Sequence, residues 1–243
     1  MKALDVAFVL FPDVTQLDLT GPAQVLSRLG NASVHLVAGS TDPVMTDAGF
    51  SINPTCTFRD CPKPHIVCVP GGAGADNAMF DKKLIAWLRE VSVGADWVTS
   101  VCTGSLVLGA AGLLKGKRAT SHWLSRPMLA EFGAIPVADR VVVDGKFVTG
   151  GGVTAGIDFA LSLMAMIRGE EHAKVVQLSL EYNPQPPFRS GSPEEADEVV
   201  VKRIRELTKA SQSQRQAKVS AASANLCNEQ ASRSPPTDSH QQG

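Results

Sequence analysis

The chain has 243 residues, 44% of them hydrophobic, which is enough to bury one sizeable core. A formal net charge of −1 leaves no basic excess for nucleic acid or an anionic membrane surface, and no apolar run approaches the ~20 residues of a membrane span. The cysteines, Cys56, Cys61, Cys68, Cys102 and Cys227, follow neither a disulfide framework nor a Cys/His metal pattern, and no signal-peptide pattern opens the chain; reduced thiols in a cytoplasm are expected.

Asp5 to Leu10 is a near-continuous apolar run, as expected of a strand covered on both faces in a parallel sheet. A loop from Phe11 follows, and a helix is predicted to start near Thr20–Pro22, with a capping hydroxyl and proline in its first turn. Ser33–Ala38 reads as a second strand and Val44–Asn53 as a small hairpin turned at Asp47-Ala48-Gly49. His65–Val69 is the next buried strand, ending in Pro70-Gly71-Gly72-Ala73-Gly74, and Asp81–Val91 is an amphipathic helix. Beyond Gly116 the pattern predicts a short strand or turn at Arg118–Trp123 and a helix over Ser125–Phe132. A hairpin around Asp144-Gly145 and helices over Ile157–Ile167 and Glu171–Tyr182 follow. Ser192-Pro193-Glu194-Glu195 reads as the start of a charged final helix ending near Leu207. From Ala210 the composition is polar, so residues 1–208 are expected to form one domain and 209–243 a disordered tail.

The stretch Trp97–Ala111 carries the strongest chemical signal. It reads as a short buried strand, a sharp turn at Cys102, and a helix of small and apolar residues, with Gly104 keeping the turn clear of side chains. That is the logic of a nucleophile elbow with sulfur in place of oxygen. At the start of a helix, free N–H groups favour thiolate over thiol. A free cysteine is also a common core residue, but turn, glycine and helix together favour the nucleophile. The glycine-rich loop at Gly71–Gly74 lacks both GxGxxG and a GK[ST] lysine, so it reads as a place where backbone N–H groups approach something at the sheet edge. Asp18, flanked by Leu17 and Leu19, reads from periodicity alone as a capping or loop acid. His35 reads as structural, and His122 is the histidine nearest a plausible site edge.

Alternating strands and helices imply a doubly wound α/β sandwich with a mostly parallel central sheet and chemistry at the strands' C-terminal edge. Several stretches together resemble the DJ-1/PfpI superfamily of flavodoxin-like proteins, and within it the isonitrile hydratases. They are Phe11-Pro12-Asp13-Val14-Thr15-Gln16-Leu17-Asp18-Leu19-Thr20-Gly21-Pro22, Val69-Pro70-Gly71-Gly72, Val101-Cys102-Thr103-Gly104, Ala119-Thr120-Ser121-His122-Trp123 and Gly151–Asp158, and the match covers roughly residues 4 to 190.

The resemblance implies that Cys102 is the elbow nucleophile and Asp18 the acid hydrogen-bonded to it, in place of a helix cap. Protease-like members carry histidine directly after the cysteine; Thr103 stands there instead, which removes that base and weakens a peptidase reading. Relatives fused to a DNA-binding helix pair are also known in the superfamily, and the polar segment here is too short for one. The implied reaction is addition of water to an isonitrile, with Cys102 attacking the terminal carbon, Asp18 moving the proton and Thr103 orienting water or Asp18. The N–H groups of Gly72 and Thr103 are expected to face developing charge, and Gly71, Gly72 and His122 to border the substrate. No metal or organic cofactor is expected, and a homodimer is. A glyoxalase- or deglycase-like carbonyl enzyme and a non-catalytic cysteine redox sensor are the rival expectations.

Overall fold

The structure, a computed structural model, describes residues 3–233. In chain order its elements are β1 (Leu4–Val9), α1 (Gln16–Leu26), β2 (Ala32–Ala38), β3 (Val44–Met45), β4 (Ser51–Ile52), β5 (Cys56–Thr57) and β6 (Ile66–Val69). Then come α2 (Ala75–Ala78), α3 (Lys82–Gly94), β7 (Trp97–Val101), α4 (Gly104–Ala110), β8 (Arg118–Ala119) and β9 (Ile135–Pro136). The last are β10 (Val141–Asp144), β11 (Phe147–Gly150), α5 (Ala155–Arg168), α6 (Glu170–Ser179) and α7 (Glu198–Arg233).

Seven strands form one sheet in the order β10-β11-β7-β6-β1-β2-β5, parallel throughout except for the antiparallel edge pair β10–β11. Every residue of β6 is buried and five of the six in β1 are, which is why these strands read as unbroken apolar runs. The chain runs outward from β1 through β2 to β5 and then returns to lay down β6 on the other side of β1. The switch of direction opens a crevice above the C-terminal ends of β1 and β6, the expected place for a ligand in such a sheet. Among the described residues no helix is long and apolar enough to cross a membrane.

Three expectations change. Helix α1 begins at Gln16, not near Thr20, so Asp18 lies in its first turn and Pro22 inside it. Pro22 has no N–H to give the Asp18 carbonyl four residues back, so α1 forgoes that bond in its interior. The helix expected over Ser125–Phe132 is a 3-10 stretch, Arg126–Phe132, ended by Gly133 at φ 71°.

The largest correction concerns the C-terminal segment. Ser192 begins a turn, with the Ala196 N–H donating to the Ser192 carbonyl, and the helix starts at Glu198. It does not end near Leu207 but continues to Arg233, across what composition marks as a disordered tail; residues 234–243 lie outside the described residues. Val219, Ala222 and Leu226 are buried, and α7 packs on α4, on α2 and on the 3-10 stretch. Apolar residues at this spacing fall on one stripe, and the polar remainder of the helix faces water.

Candidate active site

Strand β7 ends at Val101, and the chain then turns through Cys102 at φ 55°, in the left-handed region that a side chain rarely adopts. Such a conformation costs on the order of 1–2 kcal/mol, and the surrounding hydrogen bonds hold it in place. The Cys102 N–H donates to the carbonyls of Gly151 at 2.8 Å and Gly150 at 3.1 Å. Its carbonyl accepts from the hydroxyls of Ser121 at 2.9 Å and Ser105 at 3.1 Å. The thiol is thus fixed at the crevice by four bonds to its own peptide groups, and the residue is only 6% exposed.

Asp18 reaches the same point from α1. It is fully buried, and its Oδ2 accepts from the Gly71 N–H at 2.9 Å. It is no helix cap: no side chain caps α1, and the Thr15 hydroxyl is bonded to Asp47 instead. Among the described residues Asp18 Oδ1 has no hydrogen-bond partner, and the carboxyl interacts with the thiol of Cys102. Gly71 is what lets the parts meet. A Cβ there would lie 2.5 Å from the Thr103 nitrogen and 2.8 Å from Asp18 Oδ2, inside any permitted contact.

Burial lifts the Asp18 carboxyl to about 7, against the opposing pull of the Gly71 N–H and the thiol, with the charge of Asp47 adding to the rise. The Cys102 thiol is raised as well, first by burial and then by the charge of Asp18. The Thr103 N–H and the charge of Arg215 act in the opposite direction. The helix start therefore does not make the thiol more acidic as expected from sequence, because desolvation and a neighbouring acid outweigh one N–H. Two buried acids each penalise the other's charge; the carboxyl ionises first, near 7, and above that pH the pair holds one proton, which the sulfur keeps.

Thr103 is buried beside this pair, but its hydroxyl has another task. It accepts from the Gly72 N–H at 3.0 Å and donates to the Gly72 carbonyl at 3.1 Å. The expectation that the Gly72 N–H faces developing charge is therefore corrected: that donor is spent on Thr103. The Thr103 hydroxyl likewise binds the loop instead of Asp18, while its own N–H faces the sulfur.

His122 borders a cleft of about 330 Å³ lined also by Trp123, Arg126, Arg140, Gly152 and Thr154. Ser121 and Gly151, which hold the Cys102 peptide, line it too, so the cleft opens against the elbow. Burial and Arg215 lower the affinity of His122 for a proton, which keeps the ring neutral. The structure thus gathers Cys102, Asp18, Thr103, Gly71 and Gly72 in one buried cluster and places His122 at its rim. His35 stands apart, bonded to Asp5 at 2.9 Å. Ser105, Ser121 and Arg215 were missed by sequence reasoning, the first two because hydroxyls among small residues carry no periodic signal.

The geometry can be set beside known proteins. The chain is 55% identical over 203 residues to the isonitrile hydratase of Pseudomonas putida, spanning 84% of this chain and 89% of that one. It is 27% identical over 176 residues to the glutathione-independent glyoxalase DJR-1.2 of Caenorhabditis elegans, covering 70% of this chain and 93% of that one. A crystal structure of a ThiJ/PfpI family protein from Pseudomonas syringae superposes with a TM-score of 0.88 at 43% identity, over 90% of this chain and 91% of the other. The family model for DJ-1/PfpI matches residues 4–166, a span that contains Asp18 and the Cys102 elbow. The chain belongs to the DJ-1/PfpI family.

Proposed function

We propose that this protein is an isonitrile hydratase, adding water to R–N≡C to give an N-substituted formamide. The observation that carries this reading is the 55% identity to an isonitrile hydratase across most of both chains. The site chemistry supports it. An isonitrile ends in a carbon that becomes electrophilic as it is protonated, and the Cys102–Asp18 pair offers one nucleophile and one proton at a single buried point.

In the proposed sequence the Asp18 carboxylate first takes the proton of the Cys102 thiol, giving the acid and the thiolate side by side. Asp18 delivers its proton to the terminal carbon as the sulfur bonds to it, forming a thioimidate and leaving a carboxylate. Water then adds to that carbon: Asp18 takes a proton from the water and passes it to nitrogen. Collapse of the adduct breaks the carbon–sulfur bond, returns the hydroxyl proton to the pair and releases the formamide. Charge on sulfur is favoured by the Thr103 N–H and by Arg215, and Gly71 orients the carboxyl. Thr103 and Gly72 hold the loop around the pair, and His122 lines the cleft proposed to take the substrate. No metal or organic cofactor is needed for these steps.

We also read the protein as a cytoplasmic homodimer. Free thiols among the described residues fit a reducing compartment. The exposed side chains of Val175 and Leu178 on α6 and of Val199 and Leu207 on α7 suit burial against a second copy. Conversion of cyclohexyl isocyanide to N-cyclohexylformamide, followed by mass spectrometry, tests the activity. Turnover of methylglyoxal without it would turn the reading toward a carbonyl enzyme. Absence of either activity, with Cys102 recovered as a sulfinate, would turn it toward a sensor.

A further inference from the structure

Arg215 lies on the part of α7 where composition predicts no structure at all. Its side chain is 11% exposed, and its Nε donates to Asp76 Oδ1 at 2.6 Å, with Asp76 itself 14% exposed. Its Nη1 donates to the hydroxyl of Ser125 at 3.2 Å, a residue fully buried, which Gln212 of the same helix also approaches. Two chain segments meet at this guanidinium. Asp76 is in α2, whose first turn is bonded to the Gly72 carbonyl, next to the Gly71 N–H that holds Asp18. Ser125 closes the turn on the His122 carbonyl at 2.8 Å, and the neighbouring Ser121 hydroxyl holds the carbonyl of Cys102. Both walls of the crevice are thereby tied to one side chain.

We propose that Arg215 is a positioning residue of the active site: it joins the Gly71–Gly72 loop to the His122 turn around Cys102, and its charge favours the reactive thiolate. The inference rests on Cys102 being the nucleophile but not on the identity of the substrate. The charged groups that act on the thiol are Asp18 from α1 and Arg215 from α7, and Arg215 also acts on His122 in the turn after β8. Asp47 in the β3–β4 turn acts on Asp18, and Asp76 in α2 is the counter-charge of Arg215. Of the ion pair, the guanidinium is the member whose field reaches both Cys102 and His122. A buried pair of this kind is weak evidence for stability taken alone, which leaves its placement at the site to be explained by function.

The test is the rate of carboxamidomethylation of Cys102 by iodoacetamide, read by peptide mass spectrometry from acid to alkaline pH, on three full-length variants. Arg215→Met should slow the reaction about tenfold at neutral pH and move its midpoint up by about one unit. Arg215→Lys should return the midpoint most of the way. Asp76→Asn removes the counter-charge, so its midpoint should move down. A midpoint unchanged in Arg215→Met, or raised in Asp76→Asn, would overturn the proposal and leave Arg215 a structural pin, whatever the melting temperatures. The result holds whether or not an isonitrile is turned over.

Discussion

Cys102 and α7 are both built into the candidate site, yet they are held by different means. Around Cys102 the constraints are backbone groups: four bonds to its own peptide, a positive φ and the missing Cβ of Gly71. Along α7 the constraints are side chains spaced far apart, Arg215, Val219, Ala222 and Leu226, with most of the helix open to water. The elbow's turn is written in neighbouring residues, and Ser121, Gly150 and Gly151 then hold it from elsewhere in the chain. The helix owes its place to partners more than eighty residues away, such as Glu131 and Asn77, which bond Gln216 and Lys218. A region can thus be poor in apolar residues and still be ordered when its few anchors fall on one stripe.

The sharpest separation of the two regions comes from Cys102→Ala, which should lower hydration at least ~10⁴-fold while shifting the melting temperature by only a few degrees. Substantial residual turnover would move the chemistry away from the elbow. Next in size is Asp18→Asn, which keeps a hydrogen-bond acceptor for the Gly71 N–H but removes the transferable proton; the rate should fall about 10²-fold. The same variant tests linkage. In the parent, Asp18 is raised from 3.8 to about 7, so between these values the native state keeps a proton that the unfolded chain releases. Stability should then fall as pH rises through that window, by at most about 1.4 kcal/mol per pH unit, and hydration should rise through about pH 7 as the pair passes to the one-proton state from which the thiolate forms. Asp18→Asn should flatten the stability profile in denaturant titrations; an unchanged slope would mean the carboxyl is not the titrating group.

Truncation after Ala210 bears on the helix side of the comparison. Composition alone predicts no effect, whereas the structure predicts an activity loss on the order of tenfold and a clearly lower melting temperature. Full burial of a side chain such as Val219 or Leu226 contributes about 1.5–3 kcal/mol. An unaltered melting curve would return the segment to decoration. Thr103→Val is smaller and more diagnostic. It strips partners from both the N–H and the carbonyl of Gly72, so it should cost about 2 kcal/mol of stability with a few-fold loss of rate. A large rate loss at normal stability would instead place the hydroxyl on the reacting atoms. Smallest of all, Cys56→Ser and Cys227→Ser should leave hydration within about twofold of the parent, since both thiols lie away from the buried pair.

Much of the molecule was legible in one dimension because its information is local. The apolar runs of β1 and β6 announce a parallel sheet, Asp144-Gly145 announces its hairpin, and Val101-Cys102-Thr103-Gly104 announces the elbow. Each depends on nearest neighbours, alternation or a turn that few residues can make. Asp18 was legible only through family resemblance, since a lone carboxyl between two leucines has no period that distinguishes a cap from an acid held 53 residues away by Gly71. The tertiary structure alone decided the rest. It placed the Thr103 hydroxyl on Gly72 and not on the reacting atoms, raised the thiol that the helix start should have lowered, and laid α7 across the two walls of the crevice. Hydrogen-bond partners, desolvation and the docking of a sparse helical stripe all depend on distances between remote parts of the chain, and spacing along the sequence does not contain those distances.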